Sequence, residues 1–216
     1  MATSTTSATA QPFPFPPTYN FPPFFTPQPN TTTRHSQLHK WSLLIQAWCR
    51  HHRQYRLNLI DAVDTPLFHN AALRKRLDLR EARAVVDWMC RSEEEGGGGR
   101  RAEWIDADGQ KSVAWIWWRR PEEWADVVSE WVEGTGQKGS VLTVYEIVQG
   151  EGSASQGIFL FFSWGVGLEA DFDSFSSAEE FHGMDLELML KSLQVLVKRG
   201  KAQVFGSEGQ EGVKFF

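Results

Sequence analysis

The sequence lacks any apolar run that approaches the roughly 20 residues needed to span a bilayer. It has two cysteines in 216 residues, and both lie within helix-like apolar patterns, so a disulfide framework is not expected. The N-terminal stretch MATSTTSATAQ has neither the basic patch nor the apolar stretch of a signal peptide. These absences predict an intracellular protein with reduced, buried thiols.

Clustered positive charge is also scarce. The formal net charge is −5, and the isoelectric point lies near 5.7. General binders of nucleic acid or of anionic membranes need clustered Lys and Arg side chains. The charge balance therefore argues against both of these functions.

Motifs for catalysis or metal binding are missing or lack their context. The segment Gly134–Gly139 matches G-x-G-x-x-G, but a predicted helix precedes it where a dinucleotide site needs a strand, so we interpret it as a linker. His51 and His52 are adjacent rather than at zinc-ligand spacing, which is typical of a solvated helix end. Neither G-x-S-x-G nor H-E-x-x-H occurs. We predict no enzyme activity, no cofactor and no metal site.

A helical pattern begins at Ser36, where apolar residues recur at three- and four-residue steps through Cys49. A second helix is predicted in DLREARAVVDWMCR, and the segment EEEGGGGR is predicted to end it in a flexible loop. The stretch AEWIDADGQKSVAWIWW then predicts two strands around a turn at residues 107–109. Helices closed by a β-hairpin are typical of a winged helix, here over residues 36–120.

The same order of elements returns in residues 121–216. PEEWADVVSEWVEG predicts a helix with Pro121 in its first turn, and Thr143 with Glu146 has the spacing of a capping box. Asp185 can cap a helix in LELMLKSLQVLVKRG, and a strand, a glycine-rich turn and a strand end the chain. We predict an α+β fold of two tandem winged-helix modules that meet near Arg120, with an extended arm before them.

Residues 1–35 are predicted to be a disordered tail followed by this arm. Residues 13–30, FPFPPTYNFPPFFTPQPN, hold seven prolines and six aromatic rings, a density that excludes a helix interior and disfavours a strand ladder. The repeated units PPTY and PPFF fit an extended polyproline segment, which docks on a partner at little entropic loss. Two alternatives stay open: an arm that folds back on its own domain, and PPTY as a ligand for a WW domain.

A winged helix often binds DNA, and a DNA-binding transcription factor is therefore the competing hypothesis. A recognition helix must offer basic or amide side chains to phosphates and base edges. In the first module, Leu79 to Glu95 carries three arginines against five acidic residues. In the second, two of the three bases lie in the final turn, where they compensate the helix dipole. Both helices therefore disfavour DNA binding.

Several short blocks, in series, resemble one family. They are FPPFFTPQPN, AWCRHHRQ, TPLFHN, WRRPEEW, TVYEIVQG, EFHGMD and GVKFF. Together they are similar to the vacuolar protein sorting-associated protein 25 family, the small subunits of the endosomal complex ESCRT-II. The resemblance covers residues 21–150 and 179–216 in matching order.

This resemblance implies winged helices that contact proteins rather than DNA. It implies a Y-shaped heterotetramer with two copies of this chain and one copy of each of two larger subunits. The arm of each copy would dock on a partner's winged helix through the two PPx-aromatic units. The residues this implies as partner-binding are Pro16, Pro17, Tyr19, Pro22, Pro23, Phe24 and Phe25.

The resemblance also implies a role for the second module. That module would recruit the initiating ESCRT-III subunit, so that ubiquitinated cargo is sorted into multivesicular endosomes. The chain would be cytoplasmic and would reach the endosomal membrane through its partners.

Residues 153–178 depart from the family. They include the uninterrupted apolar run Ile158–Phe162, where relatives have a short polar loop. The insert could be an interfacial anchor, a patch buried on a partner, an extra edge strand, or a retained intron translated in a gene model. Exposed apolar loops promote aggregation, so we favour the gene-model artefact and assign the insert no function.

Overall fold

The computed structural model describes residues 12–105, 109–149, 181–207, 209 and 211–216. Backbone contacts divide the chain into two compact units, with the boundary between Trp118 and Arg119. The predicted tail up to Gln11, the start of the predicted turn at residues 107–109, and the insert at residues 153–178 lie outside the described residues. Within the described residues, no helix is both long enough and apolar enough to cross a bilayer.

The first unit begins with the arm and continues as an alternation of helices and short strands. Two 3₁₀ turns, Pro17–Asn20 and Pro22–Phe25, form the arm. The elements that follow are α1 (Thr31–His51), β1 (Arg56–Asn58), α2 (Leu59–Ala62), β2 (His69–Asn70), β3 (Lys75–Arg76), α3 (Leu79–Cys90), β4 (Ala102–Trp104) and β5 (Val113–Ile116). Strands β1, β5 and β4 form an antiparallel sheet in that order, and β2 pairs with β3. This order of elements is that of a winged helix.

Helix α1 begins at Thr31, earlier than the predicted Ser36. The side-chain oxygen of Asn30 accepts a hydrogen bond from the backbone N–H of Thr33 at 3.1 Å, which satisfies a free donor of the first turn. The first helical turn is polar, so apolar periodicity alone misses it. The arm is therefore shorter than the predicted 1–35 segment.

Helix α3 has the predicted apolar stripe. Ala82, Val85, Val86 and Met89 are buried against the rest of the unit, and Leu79 is half-buried. Asp78 caps the helix by accepting a hydrogen bond from the backbone N–H three residues later. The local sequence thus determines both where α3 begins and which of its faces is buried.

The segment EEEGGGGR folds back on α3, and the prediction of a flexible loop is wrong. The backbone N–H of Gly98 donates to the carbonyl of Trp88 at 2.8 Å, and that of Arg101 donates to the carbonyl of Met89 at 2.8 Å. A Cβ on Gly97 would lie 2.2 Å from the Cβ of Arg91, and one on Gly98 would lie 2.7 Å from the Trp88 ring. Glycine is needed here because the loop approaches the helix closely.

The second unit repeats the order of the first. Its elements are α4 (Pro121–Gly134), β6 (Val141–Thr143), α5 (Val144–Gln149), α6 (Leu186–Lys198), β7 (Ala202–Phe205) and β8 (Gly212–Phe215). Strands β6, β8 and β7 form an antiparallel sheet in that order, so the last strand again lies between the other two. The predicted α+β fold is confirmed, and the order of elements in both units is consistent with the predicted winged helices.

Two predicted caps are present in the second unit. The backbone N–H of Thr143 donates to the Glu146 carboxylate at 2.7 Å, and the Glu146 N–H donates to the Thr143 hydroxyl at 3.1 Å. This backbone hydrogen bond lowers the pKa of Glu146. Asp185 accepts a hydrogen bond from the backbone N–H of Glu187 at 2.9 Å at the start of α6. Both caps follow from short sequence motifs.

The glycine-rich segment Gly134–Gly139 connects α4 to β6 within the second unit. Helix α4 packs against α6, with Trp124, Val128 and Trp131 buried, so α4 belongs to this unit. The N–H of Gly139 donates to the carbonyl of Phe215 at 2.9 Å, which ties the segment to β8. The segment therefore does not join the two modules, and a helix rather than a strand precedes it.

Replacing Gly97 with alanine should destabilise the first unit by about 2 kcal/mol, because the added Cβ overlaps the Arg91 Cβ and backbone. Thermal unfolding measures this change. The Glu94→Ala variant, at an exposed position in the same loop, is the control and should unfold like the unaltered protein. Equal stability of the two variants would contradict the close packing of this loop.

Candidate partner-docking site

The arm forms two successive 3₁₀ turns rather than the predicted extended segment. In the first turn the N–H of Tyr19 donates to the Pro16 carbonyl at 2.9 Å. In the second, the N–H of Phe24 donates to the Phe21 carbonyl at 2.9 Å. Proline suits the first position of such a turn because its φ is already fixed and its missing N–H is not needed there.

Three of the predicted partner-binding side chains lie in the core of the first unit. Tyr19, Phe24 and Phe25 are each 5% exposed. The Phe24 ring stacks on Trp41 of α1 with centroids 4.2 Å apart, and the Phe25 ring meets the edge of Trp41 at 5.4 Å. The arm therefore folds back on its own domain, as one of the alternatives allowed, and these rings do not face a partner in this conformation.

Tyr19 is held at both its side chain and its backbone. Its ring stacks on Phe15 at 4.1 Å, and its hydroxyl donates a hydrogen bond to the Pro66 carbonyl. The side-chain amide of Asn70 donates to the Tyr19 carbonyl at 3.0 Å. Burial raises the pKa of the Tyr19 hydroxyl to about 12. A WW domain could not reach this tyrosine in PPTY unless the first turn left the core.

Two side chains of α1 hold the backbone of the second turn. The indole N–H of Trp41 donates to the Phe24 carbonyl at 3.0 Å. The buried amide of Gln37 donates to the same carbonyl and to that of Thr26, both at 2.8 Å. Gln37 is not among the partner-binding residues predicted from the sequence. A signal was available, because Gln37 lies one helical turn before Trp41 on the buried face of α1.

The side of the arm that faces solvent is formed by other residues. Phe21 is 60% exposed and is the most exposed aromatic side chain of the arm. Pro17, Pro22 and Pro23 are also exposed, whereas Pro16 is half-buried. We call Pro17, Phe21, Pro22 and Pro23 the exposed arm surface. Three of these four residues were predicted to bind a partner, and Phe21 was missed.

A basic hairpin flanks the second turn of the arm. Strand β3 contacts this turn, and the hairpin that it forms with β2 carries exposed Arg74 and Lys75. Arg76 is paired with Asp64 at 2.6 Å. The apolar exposed arm surface therefore lies next to positive charge.

Two charged side chains of α3, Asp87 and Arg83, are engaged inside the first unit. Asp87 accepts hydrogen bonds from the Trp104 indole at 2.9 Å and from Lys111 at 2.6 Å. Arg83 donates to the Lys111 carbonyl at 3.0 Å. These contacts hold α3 to strand β4 and to the chain entering β5. Of the two arginines of α3, Arg80 stays open to solvent with a side chain that is 85% exposed, so the helix offers a nucleic acid little positive charge.

Catalytic chemistry has no visible centre in the part of the chain that the structure describes. There, no three His, Cys, Asp or Glu side chains are grouped so that they could hold a metal ion. His51 and His52 are exposed at the end of α1, with the Phe13 ring 5.4 Å from that of His51. Burial raises the pKa of the Cys49 thiol to about 12 and that of Cys90 to about 11, so neither is a ready nucleophile.

The second unit has an open groove of about 320 Å³ between α6 and β7. Its lining is formed by Leu190, Gln194, Val197, Lys198, Gln203 and Val204. Val197 is 41% exposed, so an apolar side chain of α6 is available there to another protein.

Comparison with known proteins identifies the family. The family described as ESCRT-II complex subunit matches residues 18–160. Vacuolar protein-sorting-associated protein 25 of Xenopus laevis is 36% identical over 204 residues, which are 94% of this chain and 99% of that protein. The chain belongs to the ESCRT-II complex subunit family. The human protein of the same name is 35% identical over 207 residues, 96% of this chain and 99% of the relative.

Solved structures agree with this membership at the level of the fold. The crystal structure of subunit VPS25 of the endosomal trafficking complex ESCRT-II matches with a TM-score of 0.68 at 23% identity, covering 93% of this chain and 98% of that one. A chain in the crystal structure of the endosomal complex ESCRT-II (VPS22/VPS25/VPS36) matches with a TM-score of 0.68 at 22% identity, with the same coverage. The resemblance to this ESCRT-II family is thus confirmed over nearly the whole chain.

The Phe24→Ala variant of this ESCRT-II family member should lose about 3 kcal/mol of unfolding free energy, because the substitution leaves a cavity beside Trp41. Phe21→Ala is the matched variant in the same turn. It should change the unfolding free energy by less than about 0.5 kcal/mol, since Phe21 is exposed. Urea unfolding of both variants measures the difference. A larger loss for Phe21→Ala than for Phe24→Ala would contradict the burial pattern of the arm.

Proposed function

We propose that this chain is a non-enzymatic ESCRT-II subunit that docks onto two larger subunits through the exposed arm surface. The chain would be present in two copies, and each copy would place its arm on a winged helix of a partner. The relative in the solved complex is described together with VPS22 and VPS36. Homologues of these two proteins are therefore the expected partners.

The observation that carries this proposal is the division of the arm into two faces. Tyr19, Phe24 and Phe25 fill the core, whereas Phe21, Pro22 and Pro23 face solvent. Prolines and an aromatic ring on an already ordered turn lose little conformational freedom on binding. Burying one Phe side chain contributes about 1.5–3 kcal/mol, so Phe21 can be a main anchor of the interface.

The basic hairpin supports a second feature of the interface. Arg74 and Lys75 are exposed beside the second turn, and the neighbouring Asp64 is already paired with Arg76. A partner surface with an apolar pocket and an acidic rim would complement the exposed arm surface and this hairpin. The rim charges would mainly guide association and fix the orientation of the partner.

We further propose that the second unit recruits the initiating ESCRT-III subunit. The groove between α6 and β7 supports this role, because Leu190 and Val197 offer an apolar stripe and Gln194 offers an amide for hydrogen bonding. An amphipathic helix could occupy such a groove. The complex would thereby help to sort ubiquitinated cargo at endosomes, and the chain itself would reach the membrane through its partners.

Phe21→Ala should lower the amount of VPS22 and VPS36 homologues that co-purify with the tagged full-length chain by about tenfold or more, because an exposed anchor is lost. The matched control is Leu43→Ala, which removes an apolar side chain of α1 that is 53% exposed. Co-purification of co-expressed proteins, read by quantitative mass spectrometry, is the measurement. Equal recovery with both variants would refute docking through this surface.

Val197→Asp should preserve co-purification with the larger subunits but weaken recruitment of ESCRT-III, because it places a charge in the groove. Two copies of the groove in one complex would raise avidity, so the loss should exceed about tenfold. Leu186→Asp, at a 44% exposed position of the same helix and outside the groove lining, is the control. Binding of the assembled complex to the immobilised ESCRT-III subunit measures the effect. Loss with Leu186→Asp alone would move the recruiting surface elsewhere on α6.

A further inference from the structure

The buried amide of Gln37 is the link between the arm and the helices of the first unit. Gln37 is 5% exposed, although its side chain is polar. Its Nε2 atom lies 3.3 Å from the carbonyl oxygen of Pro23 and 2.8 Å from those of Phe24 and Thr26. One side chain thus contacts three carbonyls of the second turn and its exit.

A second contact fixes the orientation of this amide. The Gln37 Oε1 atom accepts a hydrogen bond from Arg34 at 3.0 Å, so Nε2 must point toward the arm. The Arg34 guanidinium also binds the Glu81 carboxylate of α3 at 2.6 Å, and the Glu81 side chain is 12% exposed. A charge-assisted bond between partly buried groups is stronger than a neutral one. The relay Glu81–Arg34–Gln37 therefore runs from α3 through α1 to the arm.

The second turn needs such an external donor because its own backbone provides few. Pro22 and Pro23 have no N–H, and two backbone hydrogen bonds close the turn, from Phe24 to Phe21 and from Thr26 to Pro23. Carbonyls that face the interior are costly unless they accept hydrogen bonds. Without Gln37, the carbonyls of Phe24 and Thr26 would each keep one side-chain donor, Trp41 and the half-buried Gln28 respectively. Each carbonyl would thus lose one of its two side-chain donors, and the turn would be held less firmly.

We infer that Gln37 is a positioning residue that keeps Phe21, Pro22 and Pro23 in the conformation that a partner binds, with Arg34 and Glu81 holding Gln37 in place. The inference rests on the proposed docking function. Gln37 does not touch the partner and acts through the turn, because its amide is buried beneath it. In this family member, α3 supports the arm through Glu81, which lies in the first turn of that helix.

Gln37→Leu tests the inference, because leucine is similar in size but donates no hydrogen bond. The full-length variant should dissociate from the co-expressed VPS22 and VPS36 homologues about tenfold faster, since most effects of interface changes are on dissociation. Hydrogen–deuterium exchange of the Phe21, Phe24 and Thr26 amides should also accelerate. The matched control is Gln46→Leu, a glutamine of α1 whose amide bonds to Ser42 instead. It should change neither readout.

Glu81→Gln is the second variant, and it keeps Gln37 and the apolar core intact. Removing the charge should weaken the hold on Arg34 and speed dissociation by about threefold. Faster dissociation together with faster exchange confined to the arm would support the inference. Unchanged dissociation of Gln37→Leu would overturn it. Faster dissociation with uniformly faster exchange over the whole chain would also overturn it, because that result would indicate global unfolding.

The Phe21→Ala variant separates this inference from the proposed function. Normal dissociation of Phe21→Ala would refute docking by the exposed arm surface itself. If Phe21→Ala dissociates quickly while Gln37→Leu and Glu81→Gln behave like the unaltered protein, docking stands and the positioning role is wrong.

Discussion

The packing of the arm on Trp41 is the interaction on which the proposed docking site depends. The Trp41 side chain is completely buried, and its ring contacts those of Phe24, Phe25 and Phe68. Its indole N–H also binds the Phe24 carbonyl. An arm rich in proline cannot be ordered by a continuous α-helix or by a sheet ladder, so burial of its rings must hold its two short 3₁₀ turns in place. Because the rings point inward, the prolines and Phe21 are left outside.

Helix α3 of the first unit directs several of its charged side chains into its own domain. Residues on α3 that could face nucleic acid instead bind β4, the chain entering β5, and α1, through Asp87, Arg83 and Glu81. The helix therefore holds the β4–β5 hairpin through Asp87 and Arg83, and it supports the arm through Glu81 in its first turn. Of the two arginines in α3, Arg83 is bonded within the unit, so the helix offers phosphate groups little positive charge. This arrangement favours recognition of proteins.

Local signals in the sequence were sufficient for the two units, the stripe of α3 and the caps at Thr143 and Asp185, because each depends on residues within one or two turns. Contacts between segments that are distant in the sequence could not be predicted from such local signals. Whether Phe24 faces a partner or its own core depends on Trp41, which no periodicity within the arm reveals. The same limit explains why the packing of the loop at Gly97 and Gly98 was not predicted. These two glycines are needed because the loop approaches α3 closely, and the loop sequence alone does not reveal that contact. Gln37 was missed because its partners are backbone carbonyls.

The proposed docking would couple the stability of the first unit to partner binding. A partner that binds the exposed arm surface binds the state in which Tyr19, Phe24 and Phe25 are buried, and it therefore stabilises the first unit by mass action. Conversely, any change that releases the rings lowers affinity, even though they do not touch the partner, because the competent state becomes less populated. Release of the first turn would also expose the PPTY unit, including the hydroxyl of Tyr19 now bound to Pro66. If the arm docks as proposed, assembly and the accessibility of the PPTY unit would oppose one another, because both would depend on the burial of the same aromatic rings.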